Sequence, residues 1–61
     1  MFTLENWSVQ HIGRREYIQG VITYENGVED SIRFEVFDLD IENEKVAGLD
    51  GEYLRLGKRY E

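Results

Sequence analysis

One stretch of alternating apolar and polar residues, SIRFEVFDLDI, changes phase partway along and constrains the fold more than any other feature. Its apolar residues first occupy even positions and then odd ones: Ile32, Phe34 and Val36, then Phe37, Leu39 and Ile41. Because successive side chains of a strand point to opposite faces, one regular strand cannot bury both sets. A β-bulge or sharp coil at Val36-Phe37 would reconcile them by leading the strand from one sheet into another. Alternatively, the odd set forms an exposed apolar row that marks an interface.

The acidic residues are concentrated in the same part of the chain. Residues 25–44 contain eight acids and one base, a net charge of −7, whereas the remainder has five acids and six bases, a net charge of +1. Asp38, Asp40 and Glu42 are expected to project together from the face opposite the apolar row. The overall charge of −6 opposes binding to phosphate backbones and anionic lipid, and it favours a partner protein with a basic surface.

Asn26-Gly27 follows a predicted strand from Glu16 to Glu25 and indicates a tight hairpin. Two registers compete. A two-residue turn would pair Tyr24 with Glu29 and set an apolar face against a polar one, whereas a three-residue loop with a left-handed glycine pairs Tyr24 with Val28. The three-residue loop brings most of the large apolar side chains together, and a slip of one residue would turn each of them to the opposite face. We therefore expect the three-residue loop.

A second hairpin is predicted around Asp50-Gly51. Here the pattern favours a two-residue type I′ turn, which places Ala47 opposite Leu54 and keeps Leu49 and Leu56 on the same face. The residues expected on the opposite face are Val46, Tyr53 and Arg55. Gly57 ends the strand, and residues 58–61 are expected to form a frayed tail.

The N-terminal part predicts one further strand. Alternation from Phe2 to Val9 slips in phase near Asn6-Trp7, and Trp7, the single tryptophan, is expected in the core or at its rim rather than as a ligand platform. Residues 11–15 indicate a loop, whose two arginines would be solvated or paired locally. Gly20, in the middle of the next strand, predicts a bend of the kind that small barrels need.

Five short strands, two tight hairpins and no helical period predict an all-β protein. The expected architecture is a five-stranded SH3-like small barrel that forms one domain over residues 1–61. The alternative is an open sheet with a helical turn at Ile41 to Lys45.

With 61 residues and no cysteine, the chain is near the lower size limit for independent folding and has no disulfide or Cys-containing zinc site to stabilise it. A closed sheet, a partner or self-association would supply stability, so a homodimer is left open. The N-terminus has no basic start followed by an apolar run, and no segment is long enough to span a bilayer. A cytoplasmic protein without a membrane partner is the expectation.

Candidate chemistry is sparse. The single histidine, His11, lies in a predicted loop, and Ser8 and Ser31 flank strands without a catalytic motif, so we expect no enzyme, catalytic residue or cofactor. Asp38, Asp40 and Glu42 resemble the start of a calcium-binding loop. That motif fails at Asn43, where glycine is required, and at Leu49, where a bidentate glutamate is required, so no metal site is expected.

The chain resembles a loose group of short uncharacterised bacterial and phage proteins with SH3-like barrels. The resemblance is carried by Asn6-Trp7-Ser8, Gly20-Val21, Asn26-Gly27, the strand from Ile32, and Gly51-Glu52-Tyr53-Leu54-Arg55-Leu56-Gly57. In the group's closing motif a tyrosine stands where this chain has Leu54, with Tyr53 one place early. These elements are turn and core residues, so the resemblance implies the fold and no functional site.

The function predicted from the sequence is a non-enzymatic protein-binding module that uses an acidic, partly apolar strand. Its candidate contact residues are Glu35, Phe37, Asp38, Leu39, Asp40, Glu42 and Glu44. Spaced carboxylates would steer a basic partner, and apolar residues would be buried as anchors.

Two alternatives remain. In the first, the protein is a nucleic-acid mimic that inhibits a nucleic-acid-binding protein, as in phage counter-defence, because alternate strand residues are roughly 6.6–6.8 Å apart, near the spacing of phosphates along one strand. In the second, the barrel binds nucleic acid weakly through its aromatic and basic residues, which the net charge disfavours. The residues of that second alternative are Trp7, Tyr17, Tyr53, Tyr60, Arg14, Arg15, Arg55, Lys58 and Arg59.

Overall fold

The computed structural model describes residues 1–61 and contains five strands that close into a barrel. The strands are β1 (Thr3–Ile12), β2 (Arg15–Thr23), β3 (Glu29–Asp40), β4 (Lys45–Gly48) and β5 (Tyr53–Leu56). Consecutive strands pair antiparallel, whereas β1 and β5 pair parallel. A meander reverses direction at each turn, so its first and fifth strands run the same way and must close in parallel. The predicted all-β barrel is confirmed, and its size and strand number are consistent with an SH3-like barrel.

The β2–β3 hairpin has the register expected from the three-residue loop. Ile22 lies opposite Asp30, and Ile18 lies opposite Phe34. Gly27 has a φ of 84°, a left-handed conformation that glycine adopts without a steric cost. Alignment of the large apolar side chains therefore predicted this ladder correctly.

The phase change in β3 is a bulge, as predicted. The register shifts between Val36 and Asp38, so Phe37 is the extra residue. Residues up to Glu35 pair with β2, and residues from Val36 pair with β4. The bulge lets both Val36 and Leu39 pack against the core, because it restores inward alternation after the extra residue. One strand thus belongs to both halves of the barrel.

The β4–β5 hairpin differs from the prediction. Val46, not Ala47, lies opposite Leu54. The loop has three residues, because the Gly48 N–H donates to the Glu52 carbonyl at 2.9 Å. The predicted two-residue turn is therefore wrong, and Val46 faces the core.

The first strand contains the expected phase slip. Its register against β2 shifts between Glu5 and Ser8, and Asn6 has a φ of 55°. Leu4 and Trp7 are consequently both buried although they are three positions apart. The Trp7 indole Nε1–H donates to the Gly57 carbonyl at 2.9 Å, which fixes the ring in the core.

Two expectations about chain ends and loops are wrong. The tail is docked rather than frayed, because the Tyr60 N–H donates to the Trp7 carbonyl at 2.8 Å and Arg59 pairs in parallel with Trp7. The predicted loop at residues 11–15 shrinks to a two-residue turn, since β1 continues to Ile12 and β2 begins at Arg15. Both differences extend the sheet.

Eight apolar residues form the buried core of the barrel. They are Leu4, Trp7, Ile18, Ile22, Phe34, Val46, Leu54 and Leu56. Every strand contributes at least one of them. The chain contains no helix of the length and apolarity needed to cross a membrane.

Candidate functional site

The apolar row predicted in the second half of β3 is divided by the structure. Phe37, at the bulge, is 72% exposed, whereas Leu39 packs against the core. Ile41 lies beyond the end of the strand in the turn formed by residues 41–44 and is 53% exposed. Of the predicted apolar contact residues, Phe37 is therefore available to a partner and Leu39 is mainly structural.

The acidic row is also shorter than expected. Asp38 and Asp40 lie on the outer face of β3, but the strand ends at Asp40 and Glu42 belongs to the following turn. The expectation that the three carboxylates project together is therefore wrong for Glu42. Asp40 lies opposite Lys45 of β4, while Asp38 lies opposite Ala47. Asp38 is thus the strand carboxylate without a charged residue opposite it.

Asp40 also closes the turn between β3 and β4. The Asn43 backbone N–H donates to Asp40 Oδ1 at 3.1 Å, and the Asn43 side-chain amide donates to Oδ2 at 2.9 Å. These two hydrogen bonds, the side-chain bond first, lower the pKa of Asp40 below its ordinary value, because they favour the charged carboxylate. Both oxygens of Asp40 are therefore engaged in local structure.

Glu44 combines a structural backbone with an exposed side chain. It has a φ of 55°, its N–H donates to the Ile41 carbonyl, and its own carbonyl accepts the Leu56 N–H at 2.8 Å. The turn is thereby tied to β5. The side chains of Glu42 and Glu44 are exposed at this end of the barrel, so the two residues extend the acidic character of β3 beyond the strand.

Glu35 lies before the bulge and is partly buried. Its carboxylate is 3.9 Å from the Arg15 guanidinium. The pKa of Arg15 is raised first by a hydrogen bond with Tyr17 and then by the charge of Glu35. Since Arg15 is exposed, the pair contributes little to stability. Glu35 is therefore already matched by a cation of the same chain.

Leu49 is a residue of this surface that sequence reasoning missed. It was expected on the buried face of the second hairpin, but it is 54% exposed. Its N–H donates to the Glu35 carbonyl at 3.1 Å, which holds the loop of residues 49–51 beside the segment leading to Phe37. The exposure of Leu49 could not be predicted from the local pattern, because it follows from the three-residue loop, which replaces the expected two-residue turn.

Two of the aromatic residues considered for nucleic-acid binding already contact arginines of the same chain. Arg59 stacks over the Trp7 ring and Arg33 over the Tyr17 ring, each with 4.8 Å from guanidinium carbon to ring centroid. Trp7 is also buried, as the core interpretation predicted. Two of the aromatic faces are thus covered by arginines of the same chain.

A surface groove of about 580 Å³ lies on the outer side of β1, β2 and β3. Its lining includes Ser8, Gln19, Arg33 and Tyr60 but no histidine or carboxylate. The groove therefore contains no pair of groups suited to general acid–base catalysis. No three His, Asp or Glu side chains lie together in a group that could hold a metal ion.

Comparisons with models of protein families, with curated proteins and with solved structures give no match for this chain.

Proposed function

We propose that the protein is a non-enzymatic protein-binding module whose contact surface centres on Phe37 and its acidic neighbours. The observation that supports this most directly is the bulge, which exposes 72% of a phenylalanine. A bulge re-aims side chains, and large aromatic side chains are frequent anchors at protein interfaces. Leu39 serves this surface by packing its strand onto the core.

The carboxylates around Phe37 indicate the chemistry of the partner. Asp38, Glu42 and Glu44 are exposed, and the chain as a whole has a charge of −6. A partner with an apolar pocket for Phe37, rimmed by lysine or arginine, complements this arrangement. The rim charges would accelerate association, while the buried ring would supply most of the affinity.

Nucleic-acid mimicry is the alternative, and it receives less support from the geometry. After the bulge, only two carboxylates, Asp38 and Asp40, lie on the outer face of β3. Asp40 faces Lys45 and is bonded to Asn43, which lowers its availability to a basic target. Mimicry predicts that Asp38→Asn with Asp40→Asn abolishes inhibition and that affinity falls steeply with salt. The module instead predicts a larger loss from removing Phe37.

The test uses affinity capture from a lysate of the source organism, followed by purification of the retained protein and titration with four forms of this chain. These are the wild type, Phe37→Ser, Asp38→Asn and the matched control Val28→Ser. Val28 is an exposed apolar residue of the β2–β3 loop, so its replacement reports general loss of surface hydrophobicity.

Phe37→Ser should weaken binding by roughly 30-fold or more, as expected for an interface residue contributing about 2 kcal/mol. Asp38→Asn should mainly slow association, and Val28→Ser should leave binding unchanged. Equal binding by Phe37→Ser and wild type would show that the bulge is not the contact surface. A mobility shift with single-stranded nucleic acid at low salt would instead favour the nucleic-acid-binding barrel.

A further inference from the structure

The first half of β3 has one edge with no neighbouring strand. β2 pairs with residues from Glu29 to Glu35, whereas β4 on the other side pairs only from Val36 onward. The segment before Val36 therefore has a strand on one side and none on the other. Unpaired strand edges are the sites at which another strand can be added.

The direction of the backbone groups along this edge follows from the hairpin loop. The Tyr24 N–H donates to the Val28 carbonyl, so these residues form a hydrogen-bonded pair. Such pairs alternate with non-hydrogen-bonded ones in an antiparallel ladder. Starting from Val28, every second residue of β3 forms hydrogen bonds with β2. The intervening residues, Glu29, Ser31 and Arg33, direct their N–H and C=O groups away from β2.

An independent hydrogen bond agrees with this assignment. The next residue of the same set, Glu35, accepts a hydrogen bond from Leu49, on the side away from β2. The backbone groups of Glu29, Ser31 and Arg33 form no hydrogen bond of this kind. We name these three residues the open β3 edge. All three are exposed.

The side chains of the open β3 edge make it complementary to itself. Consider a second copy placed antiparallel with Ser31 opposite Ser31. Glu29 of each copy then lies opposite Arg33 of the other, in a hydrogen-bonded pair with both side chains on the outer face. Three residue pairs would form six backbone hydrogen bonds, two per pair. Two ion pairs would flank the central serines.

Other registers that keep the same backbone groups facing each other lack this match. A shift of two residues in one direction sets Glu29 opposite Glu35, so like charges meet. A shift in the other direction sets Glu29 opposite Ser31 and moves Arg33 opposite Gly27 in the loop. Charge and hydrogen-bond pattern therefore agree on one register.

We propose that the open β3 edge is a homodimerisation surface, in which two copies of the chain join antiparallel through Glu29, Ser31 and Arg33. Arg33 is compatible with this role although it stacks over Tyr17, because stacking uses the face of the guanidinium and leaves the in-plane N–H groups free to donate. The dimer continues the β1–β2–β3 sheet across the two-fold axis.

The other edge of the same sheet, on β1, is less suited to dimerisation. On β1 the tail already occupies the position beside Trp7. Beyond it, the backbone groups of Val9 and His11 point away from β2, because hydrogen-bonded and non-hydrogen-bonded pairs alternate along the ladder. Neither residue offers a charge pair with its symmetry mate. A dimer through β3 would also present two copies of the Phe37 surface, which raises avidity for a multivalent partner.

Sedimentation velocity over about 10 µM to about 1 mM tests the proposal, a range suited to the weak affinity of a small interface. Wild type should pass reversibly from monomer to dimer. The amides of Glu29, Ser31 and Arg33 should gain protection from hydrogen exchange at high concentration. A monomer throughout this range would overturn the proposal. The charged side chains of the open β3 edge would then be interpreted as protection against pairing with another chain.

Two sets of variants distinguish this dimer from other association. Ser31→Pro removes an N–H that points away from β2, so it should preserve the barrel while weakening dimerisation at least tenfold. Glu29→Arg and Arg33→Glu should each weaken it about tenfold by placing like charges opposite each other.

The double variant Glu29→Arg with Arg33→Glu restores opposite charges and should recover dimerisation to within about threefold of wild type. Circular dichroism of each variant confirms that the barrel is intact, and the charge variants keep the test decisive if Ser31→Pro unfolds. A dimer that is insensitive to Ser31→Pro in a folded barrel, or a double variant as weak as the single ones, would contradict the proposal.

Discussion

The hairpins β2–β3 and β4–β5 have three-residue loops of the same type, each with glycine as its third residue, but their strands are held by different contacts. In each, the residue before the loop donates its N–H to the residue after it, at 2.8 Å and 2.9 Å respectively. The third loop residue, Gly27 or Gly51, has a φ of 84° or 93°. The strands differ: β2 and β3 have nine and twelve residues, whereas β4 and β5 have four each.

This difference shows how much of a register a loop can specify. The long ladder of β2 and β3 aligns several large apolar pairs, so a slip would expose all of them. The short hairpin has few pairs, and its register depends on the surroundings of Gly48. A Cβ at position 48 would lie 2.7 Å from a ring carbon of Phe34. The predicted register would turn Ala47 and Leu49 inward, and Phe34 occupies the space that their side chains would need.

The largest effect on this comparison should come from Gly48→Ala. The added methyl group meets the Phe34 ring and the Glu52 carboxylate, and overpacking of this kind costs about 1–3 kcal/mol. Urea unfolding monitored through Trp7 fluorescence measures the change. Tyr24 precedes the loop of the β2–β3 hairpin as Gly48 precedes the other, and there the structure accommodates a full aromatic side chain. Unchanged stability of Gly48→Ala would show that Phe34 does not determine the short hairpin's register.

The equivalence of the two loops is tested by Gly27→Ala and Gly51→Ala. A Cβ at either position meets no atom within 4 Å, so the cost is conformational, about 1–2 kcal/mol for a left-handed alanine. We expect equal losses in the free energy of unfolding. Asparagine at each position should cost less, because it tolerates this conformation better. A loss at Gly27 alone would mean that the loops differ.

A smaller effect separates the loops. The Val28 N–H donates to Asn26 Oδ1 at 3.1 Å, whereas the Asp50 side chain forms no such bond. Asn26→Ala should therefore lower the free energy of unfolding by about 1 kcal/mol. Asp50→Ala should change it by less than about 0.5 kcal/mol. Equal effects in urea unfolding would assign the stabilisation to loop geometry instead of the side chain.

The smallest effect concerns the turn without glycine, residues 41–44, in which Glu44 has a left-handed φ of 55° and Asp40 accepts two hydrogen bonds from Asn43. The folded pKa of Asp40 lies below its ordinary value of 3.8. Its contribution to stability is therefore complete above that value and is lost as pH falls through the folded pKa. A carboxyl titration by NMR should show the lowered pKa, and Asn43→Ala should return it towards 3.8. An unaltered pKa in Asn43→Ala would contradict the assigned cause.

The candidate contact surface was only partly predictable. Alternation located the phase break at Val36-Phe37, and the structure places a bulge there. It could not say which odd residue would face outward, because that depends on where register resumes against β4. As a result Phe37 is exposed, Leu39 is packed and Glu42 leaves the strand. The exposure of Leu49 was missed for the related reason that it follows from the loop.

The sequence by itself determined the all-β barrel, the register of the long hairpin and the position of the bulge. These features depend on alternation and turn residues, which act between neighbours along the chain. The tertiary structure decided the register of the short hairpin and the docking of the tail. Those features depend on contacts between distant residues, such as the Trp7 indole with the Gly57 carbonyl, 50 positions apart. No local pattern contains that information, because the energy of such a contact exists only after the barrel has closed.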